Sequence, residues 1–334
     1  MIKRLLIYVV LASALLIDNS LFVSSGWSAG GEIISFLARK DEARPIIFMN
    51  IQGEILQTLM TDPGRLSSFT WSPDGSSVAY GSNQSGNPEI HVMDVDTNTH
   101  RQLTFHWSRD LWPSWSPDGK WIAFVSERAG AMDLYRMDVN GKRVRQLTDH
   151  GDCYKAAWSP DSQWIAFASD GGGGYSLYVM DAIGKRLRLL VANVAHPGCT
   201  WSPDGKQIAF TLYDTEGGMQ IFRIDADGGN RHQLTWFDQR ASIFTPMWSP
   251  SGKWIAYLLA ERQEPFKPVP IEEIFANAVI SIVDTAEGGQ GKSFEVTKGL
   301  MRNSSIEWAP KGFLSVSPSA EKQTRLWGRL KQTK

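Results

Sequence analysis

Residues 115–124 read WSPDGKWIAF. Close copies stand at 71–80 (WSPDGSSVAY), 158–167 (WSPDSQWIAF), 201–210 (WSPDGKQIAF) and 248–257 (WSPSGKWIAY), and a degenerate sixth, WAPKG, starts at Trp308. From one tryptophan to the next the intervals are 44, 43, 43, 47 and 60 residues. Self-similarity at this period marks a repeat architecture whose units stack into a single body, so the length of 334 residues does not imply two domains.

Each part of the decapeptide has a folding reason. Proline presets φ at the first corner of a tight turn, aspartate bonds its own backbone, and glycine takes the left-handed position. The flanking runs, such as Trp121–Val125, are short, β-branched or aromatic, and read as strands. A polar loop follows (SERAGAMD at 126–133, SDGGGGYS at 169–176). A second run comes next (IHVMD at 90–94, LYRMD at 134–138, LYVMD at 177–181, IFRID at 221–225). A third run ends in Leu-Thr (RQLT at 101–104 and 145–148, HQLT at 232–235), and the chain returns to the next tryptophan. Apolar residues on both sides of several runs require cover on both faces.

Four strands per unit make a propeller blade, whose neighbours cover its two faces. The ends of the chain predict how the ring closes. Residues 31–61 hold three strands without a first (GEIISFLAR, PIIFMN, GEILQTL), and 304–309 (SSIEWA) hold a first strand without its followers. Joined, they complete a sixth blade. The expected fold is all-β: a six-bladed β-propeller of four-stranded antiparallel blades over 31–316, with the repeat tryptophans packed between blades. The basic tail, 317–334, reads as a final strand with a solvated end or as a docking segment, and Ser315-Val-Ser-Pro318 leaves a seventh, partial blade as an alternative.

Ahead of the repeats, Met1-Ile-Lys-Arg4 precedes an apolar run of 13 residues, Leu5–Ile17, that stops at Asp18. Residues 1–28 are expected to be a secretory signal, with an uncleaved anchor as the alternative; no cysteine lies nearby for lipid attachment. The whole chain is 42% hydrophobic and 21% charged at a net charge of −1, which offers no global field for nucleic acid. Only Cys153 and Cys199 occur. An oxidising compartment permits a disulfide, but their different heights in the repeat make the narrow bond geometry hard to meet.

The pattern W-S-P-D-G-x-x-I-A-F, then I/L-Y-x-M-D, then Q-L-T, resembles the TolB-type propeller repeat over about 31–310, and the blades of prolyl-oligopeptidase-like enzymes share it. The resemblance implies a bacterial periplasmic or secreted protein. TolB proper carries an α/β domain before its propeller, so the resemblance here is to the propeller alone. A propeller hosts many unrelated tasks, and function must be argued from a site.

Hydrolase chemistry finds no stretch outside the repeats long enough for an α/β-hydrolase domain. Asp225-Ala-Asp-Gly228 lacks the twelfth-position glutamate of a calcium loop, because Trp236 stands there. SDGGGGYS lacks the following Lys-Ser/Thr of a phosphate cradle. In propellers, sites lie where loops crowd the channel mouth, here the loops before each tryptophan. Five residues ahead of the tryptophans stand Leu66, Asp110, Cys153, His196, Ile243 and Asn303. Asp110, Cys153 and His196, on consecutive blades, are residue types that ligate metals, and Cys with His also forms a nucleophile–base pair. The more economical reading is a polar mouth without chemistry, and no cofactor or metal is expected.

The same loops place Trp107, Arg109, Asp110 and Trp112 together, then Asp152 and Tyr154 beside Lys155, then His196, then Trp236, Asp238 and Arg240. Tryptophan, tyrosine and arginine dominate interaction hot spots. A long insertion, 261–278, is expected to form a flap beside them. The sequence therefore predicts a non-enzymatic, exported, monomeric module that binds another protein or peptide of the cell envelope through its loop face. The alternatives are a channel-mouth enzyme, such as a metal-assisted polysaccharide lyase, and a lectin-like carbohydrate binder using Trp107, Trp112 and Trp236.

Overall fold

The computed structural model describes residues 32–39, 45–59, 68–149, 151–171, 173–261, 278–286, 293–297 and 302–310. The expected leader, flap and basic tail lie outside these residues. The 24 described strands form six four-stranded sheets. Blade 1 holds β4 (Phe69–Trp71), β5 (Ser77–Ser82), β6 (Glu89–Asp94) and β7 (His100–Gln102). Blade 2 holds β8 (Asp110–Trp115), β9 (Trp121–Ser126), β10 (Asp133–Asp138) and β11 (Arg145–Gln146). Blade 3 holds β12 (Ala157–Trp158), β13 (Trp164–Asp170), β14 (Tyr175–Asp181) and β15 (Arg188–Val191). Blade 4 holds β16 (His196–Trp201), β17 (Gln207–Tyr213), β18 (Met219–Asp225) and β19 (His232–Gln233). Blade 5 holds β20 (Ala241–Trp248), β21 (Trp254–Glu261), β22 (Val279–Asp284) and β23 (Ser293–Glu295).

Blade 6 is the predicted composite: β1 (Ile33–Arg39), β2 (Ile46–Asn50) and β3 (Ile55–Leu59) from the start of the chain, and β24 (Arg302–Trp308) from its end. β24 runs antiparallel to β1, with Ile34 opposite Trp308 and Phe36 opposite Ile306. The first strands of successive blades touch in the order β4, β8, β12, β16, β20, β24 and back to β4. They line the axis, and the ring is closed.

The turn motif works as its chemistry requires. In blade 1, Ser72 Oγ donates to Asp74 Oδ1 (2.6 Å) and accepts the Ser77 amide (2.9 Å), and Asp74 Oδ1 accepts the Ser76 amide (3.0 Å). Blades 2 and 4 repeat this set at Ser116–Asp118 and Ser202–Asp204. The Ser72 hydroxyl is the main cause that holds the Asp74 carboxyl below its usual range.

The I-A-F triplet is the packing code. Side chains alternate across a strand. In β9, Ile122 and Phe124 point toward blade 1, whereas Ala123 and Val125 point toward blade 3. In β17, Ile208 and Phe210 meet blade 3 and Ala209 meets blade 5. Each large pair thus packs against the small residues of the preceding blade. Six apolar clusters result among the described residues, one at each blade junction. The repeat tryptophans join them. Trp158, Trp201 and Trp308 donate their indole N–H to Ser114 O, Ala157 O and Met247 O of the preceding blade, at 2.8–3.0 Å. Trp248 departs from this pattern and bonds Gly252 O in its own turn.

The Leu-Thr ending also has a purpose that its sequence left unread. The Thr104, Thr148, Thr235 and Thr297 hydroxyls accept the first core amide of strand three in their blades (2.8–2.9 Å). The first three of these hydroxyls donate in turn to Glu89, Asp133 and Gln220. Cys153 and Cys199 are both buried and free, so no disulfide ties blades 3 and 4.

Candidate functional site

Because strands alternate in direction, each blade has a turn face, with the Ser-Pro-Asp-Gly hairpins, and a loop face. On the loop face lie the loops between second and third strands and the crossovers to the next blade. The start of β1 at Ile33 and the end of β24 at Trp308 are joined on the turn face, where the amide of Ala309, the residue after β24, bonds Ile33 O (2.9 Å).

The predicted site residues all belong to loop-face segments, but they divide into three environments. Trp107 and Trp236 project into solvent, 82% and 53% exposed. Trp107 leans on His106 with ring centroids 5.2 Å apart. Exposure on this face extends to Phe105 (78%) and Tyr213 (51%), which the sequence did not single out.

The second environment is paired charge. Arg109 chelates Glu127, with Nε 2.8 Å from Oε2. Arg240 binds Asp238 at 2.7 Å. Asp110 is fully buried and bonds Arg128 at 2.8 Å, while the Arg128 guanidinium lies over the Phe124 and Tyr135 rings at 5.3 and 4.9 Å. The carboxylate of Asp110 is therefore withdrawn from solvent and held by Arg128. Glu127 and Arg128 were legible in principle, since a hairpin loop after strand two returns to the level from which strand one begins.

The third environment is the junction of blades 2 and 3. Trp112 stacks on Tyr154 (5.0 Å, 22°), and Tyr154 meets Tyr175 edge-on (5.0 Å, 85°) with their hydroxyls 2.8 Å apart. A β-bulge between Leu111 and Ser114 re-aims Trp112, which sits at φ 49°. Tyr175 could have been found from SDGGGGYS only by knowing that its loop folds beside the crossover that enters its own blade. Asp152 is exposed at this junction.

Asp110, Cys153 and His196 do not converge. Among the described residues no three His, Cys, Asp or Glu side chains form a metal-binding group. Cys153 is buried against Thr148 (3.4 Å) and its burial pushes the thiol upward, which removes a thiolate nucleophile. His196 Nδ1 accepts the Gly198 amide (3.0 Å), and its ring meets Phe244 edge-on at 5.1 Å. Desolvation lowers its pKa to about 4, so the imidazole is neutral at pH 7.

The axis itself is crossed by an ion pair. Lys155, just ahead of β12 in blade 3, binds Glu307 of β24 in blade 6, which is diametrically opposite in a ring of six. The side chains are 29% and 12% exposed.

No curated protein matches the chain significantly. Among solved structures, TolB from Acinetobacter baumannii is 25% identical with a TM-score of 0.65, over 84% of this chain and 67% of that one. A putative TolB from Agrobacterium tumefaciens is 19% identical with a TM-score of 0.62, over 84% and 98%. A nidogen/laminin complex contains a chain of the same fold, 11% identical with a TM-score of 0.62, over 84% and 99%. The family model of the TolB beta propeller domain matches residues 12–157 and 149–280, more than half of the chain, and the chain is a member of that family.

Proposed function

We propose that this propeller is an exported, non-enzymatic module that binds another protein of the cell envelope through its loop face. The observation that carries the reading is the sorting of its exposed apolar side chains. Among the described residues all four exposed large aromatics, Phe105, Trp107, Tyr213 and Trp236, rise from the loop face. The exposed aliphatics, Ile55, Val144, Ile183, Leu187 and Leu189, sit on the turn face or the outer strands. Exposed rings desolvate well and give large contact area at little entropic cost, which is why they anchor interfaces. The ion pair across the axis supports a partner seated on the rim rather than threaded through the ring. Membership of the TolB propeller family supports a periplasmic or secreted location.

The test is photo-crosslinking from a benzoylphenylalanine placed at Trp107 or Trp236, against the same residue at Val144 or Lys206 on the turn face. A discrete protein adduct from the loop-face positions alone is expected, and it should be lost when the other loop-face tryptophan is changed to alanine. Adducts from the turn face alone would overturn the proposal.

A further inference from the structure

The loop face has a charge as well as an apolar character, and a charge preference for its partner rests on the binding role proposed above. Every lysine and arginine with a described side chain on that face already has an anionic partner: Arg109 with Glu127, Arg128 with Asp110, Lys155 with Glu307 and Arg240 with Asp238. Asp152, Asp214 and Glu216 have no cationic partner among the described residues. The described part of the face therefore keeps surplus negative charge on blades 3 and 4, although the whole chain is near neutral at −1.

On blade 4 two of these carboxylates share a platform with two exposed rings. Tyr213 ends β17, Asp214 and Glu216 follow it, and Trp236 begins the crossover to blade 5. The two loops are tied together. Gln220 Nε2 donates to Asp214 Oδ2 (2.8 Å) and to Phe237 O (2.7 Å), and its Oε1 accepts the Phe237 amide (2.9 Å). Gln239 adds a bond from its side chain to Glu216 O. The two loops that carry the rings and charges are thus held in fixed relation, by a glutamine that is itself fully buried.

Aromatic faces attract ammonium and guanidinium groups, and a surplus of carboxylate beside them adds a long-range pull of the same sign. A nucleic acid or an acidic segment is repelled by that surplus. A neutral sugar would use the rings and ignore the charge. We propose that the loop face docks a lysine- and arginine-bearing segment of a protein partner, with Tyr213, Asp214, Glu216 and Trp236 of blade 4 as the principal contact and Asp152 of blade 3 as a flanking anion.

The experiment measures fluorescence anisotropy of a labelled peptide of alternating glycine, lysine and arginine, at low and at physiological salt. A glycine–glutamate peptide and a labelled neutral oligosaccharide serve as competing probes. The basic peptide alone is expected to bind, more weakly as salt rises. Trp236→Ala should weaken it roughly tenfold at both salt levels. The pair Asp152→Asn and Glu216→Gln should weaken it roughly tenfold at low salt and flatten the salt dependence. These carboxylates are exposed, and Asn tolerates the left-handed φ of 48° at position 152, so the variants keep the fold. Lys206→Ala on the turn face should change nothing. Failure of the basic peptide to bind, equal binding of the acidic peptide or the sugar, or indifference to both sets of substitutions would overturn the inference. If the basic peptide fails while crosslinks still form from Trp107 and Trp236, only the charge preference falls. If both fail, the loop-face reading falls with it.

Discussion

Gly119 and Gly141 both hold left-handed backbone, at φ +72° and +78°, but their surroundings differ. A methyl group at Gly119 would meet open space, whereas at Gly141 it would come within 2.6 Å of Leu103 O in the preceding blade. Gly119→Ala should cost only the backbone term, about 1 kcal/mol. Gly141→Ala adds a clash with backbone that cannot yield, and should lower the urea midpoint at least twice as far; equal losses would contradict the close approach of blades 1 and 2 at that hairpin. His196 makes a pH prediction of definite sign. Its folded pKa lies near 4 against 6.5 for a free imidazole, so the unfolded chain takes up the proton first. Stability is therefore unaffected above pH 6.5 and is lost as pH falls toward 4, by up to about 3 kcal/mol, since the residue as a whole is only half-buried. Comparing urea midpoints of wild type and His196→Gln across this range should show the wild type falling more steeply.

At the scale of the strand, the I-A-F code predicts opposite faults from neighbouring positions. Phe210→Ala leaves a cavity between blades 3 and 4 and should cost about 3–5 kcal/mol. Ala209→Leu overfills the junction of blades 4 and 5 and should cost about 1–3 kcal/mol. Calorimetry of both would check the alternation, since the costs should reverse in order if the side chains faced the other way. Thr148→Val should cost about 1–3 kcal/mol by leaving the Leu134 amide and the buried Asp133 carboxylate without their hydroxyl. This alternation was readable in the sequence, because a period of two with apolar residues on both sides demands two covering neighbours. The threonine was not, because its partners are an amide and an acid about 14 residues earlier, brought near only once the strands pair.

The whole ring is held by its closure and by one contact across its centre. The β1–β24 pairing joins residues 272 apart in sequence at Ser35 and Glu307, where the Ser35 hydroxyl donates to Glu307 O (2.9 Å). The Glu307 side chain then reaches Lys155 on the opposite blade. Removing either partner strands a partly buried charge, whereas removing both does not. Lys155→Met and Glu307→Gln should each destabilise, and the double variant should lose less than the sum of the two, with a coupling of about 1–2 kcal/mol in a double-mutant cycle. A coupling near zero, or one abolished by moderate salt, would place the pair in open solvent instead of across the axis.

What the amino-acid sequence determined by itself was the blade and the way the ends meet. Turn chemistry and side-chain alternation act over a few residues, and six tryptophan-led units with incomplete ends admit this closure directly. The tertiary structure decided which loop residues stay free. It buried Asp110 under Arg128, neutralised His196 against Phe244, paired Arg240 with Asp238 and left Trp107 and Trp236 in solvent. Apart from the Asp238–Arg240 pair, which is local, those outcomes depend on which side chains from separate strands and loops come within contact distance of each other. Such distances are set by the geometry of a closed ring, to which no short window of sequence has access.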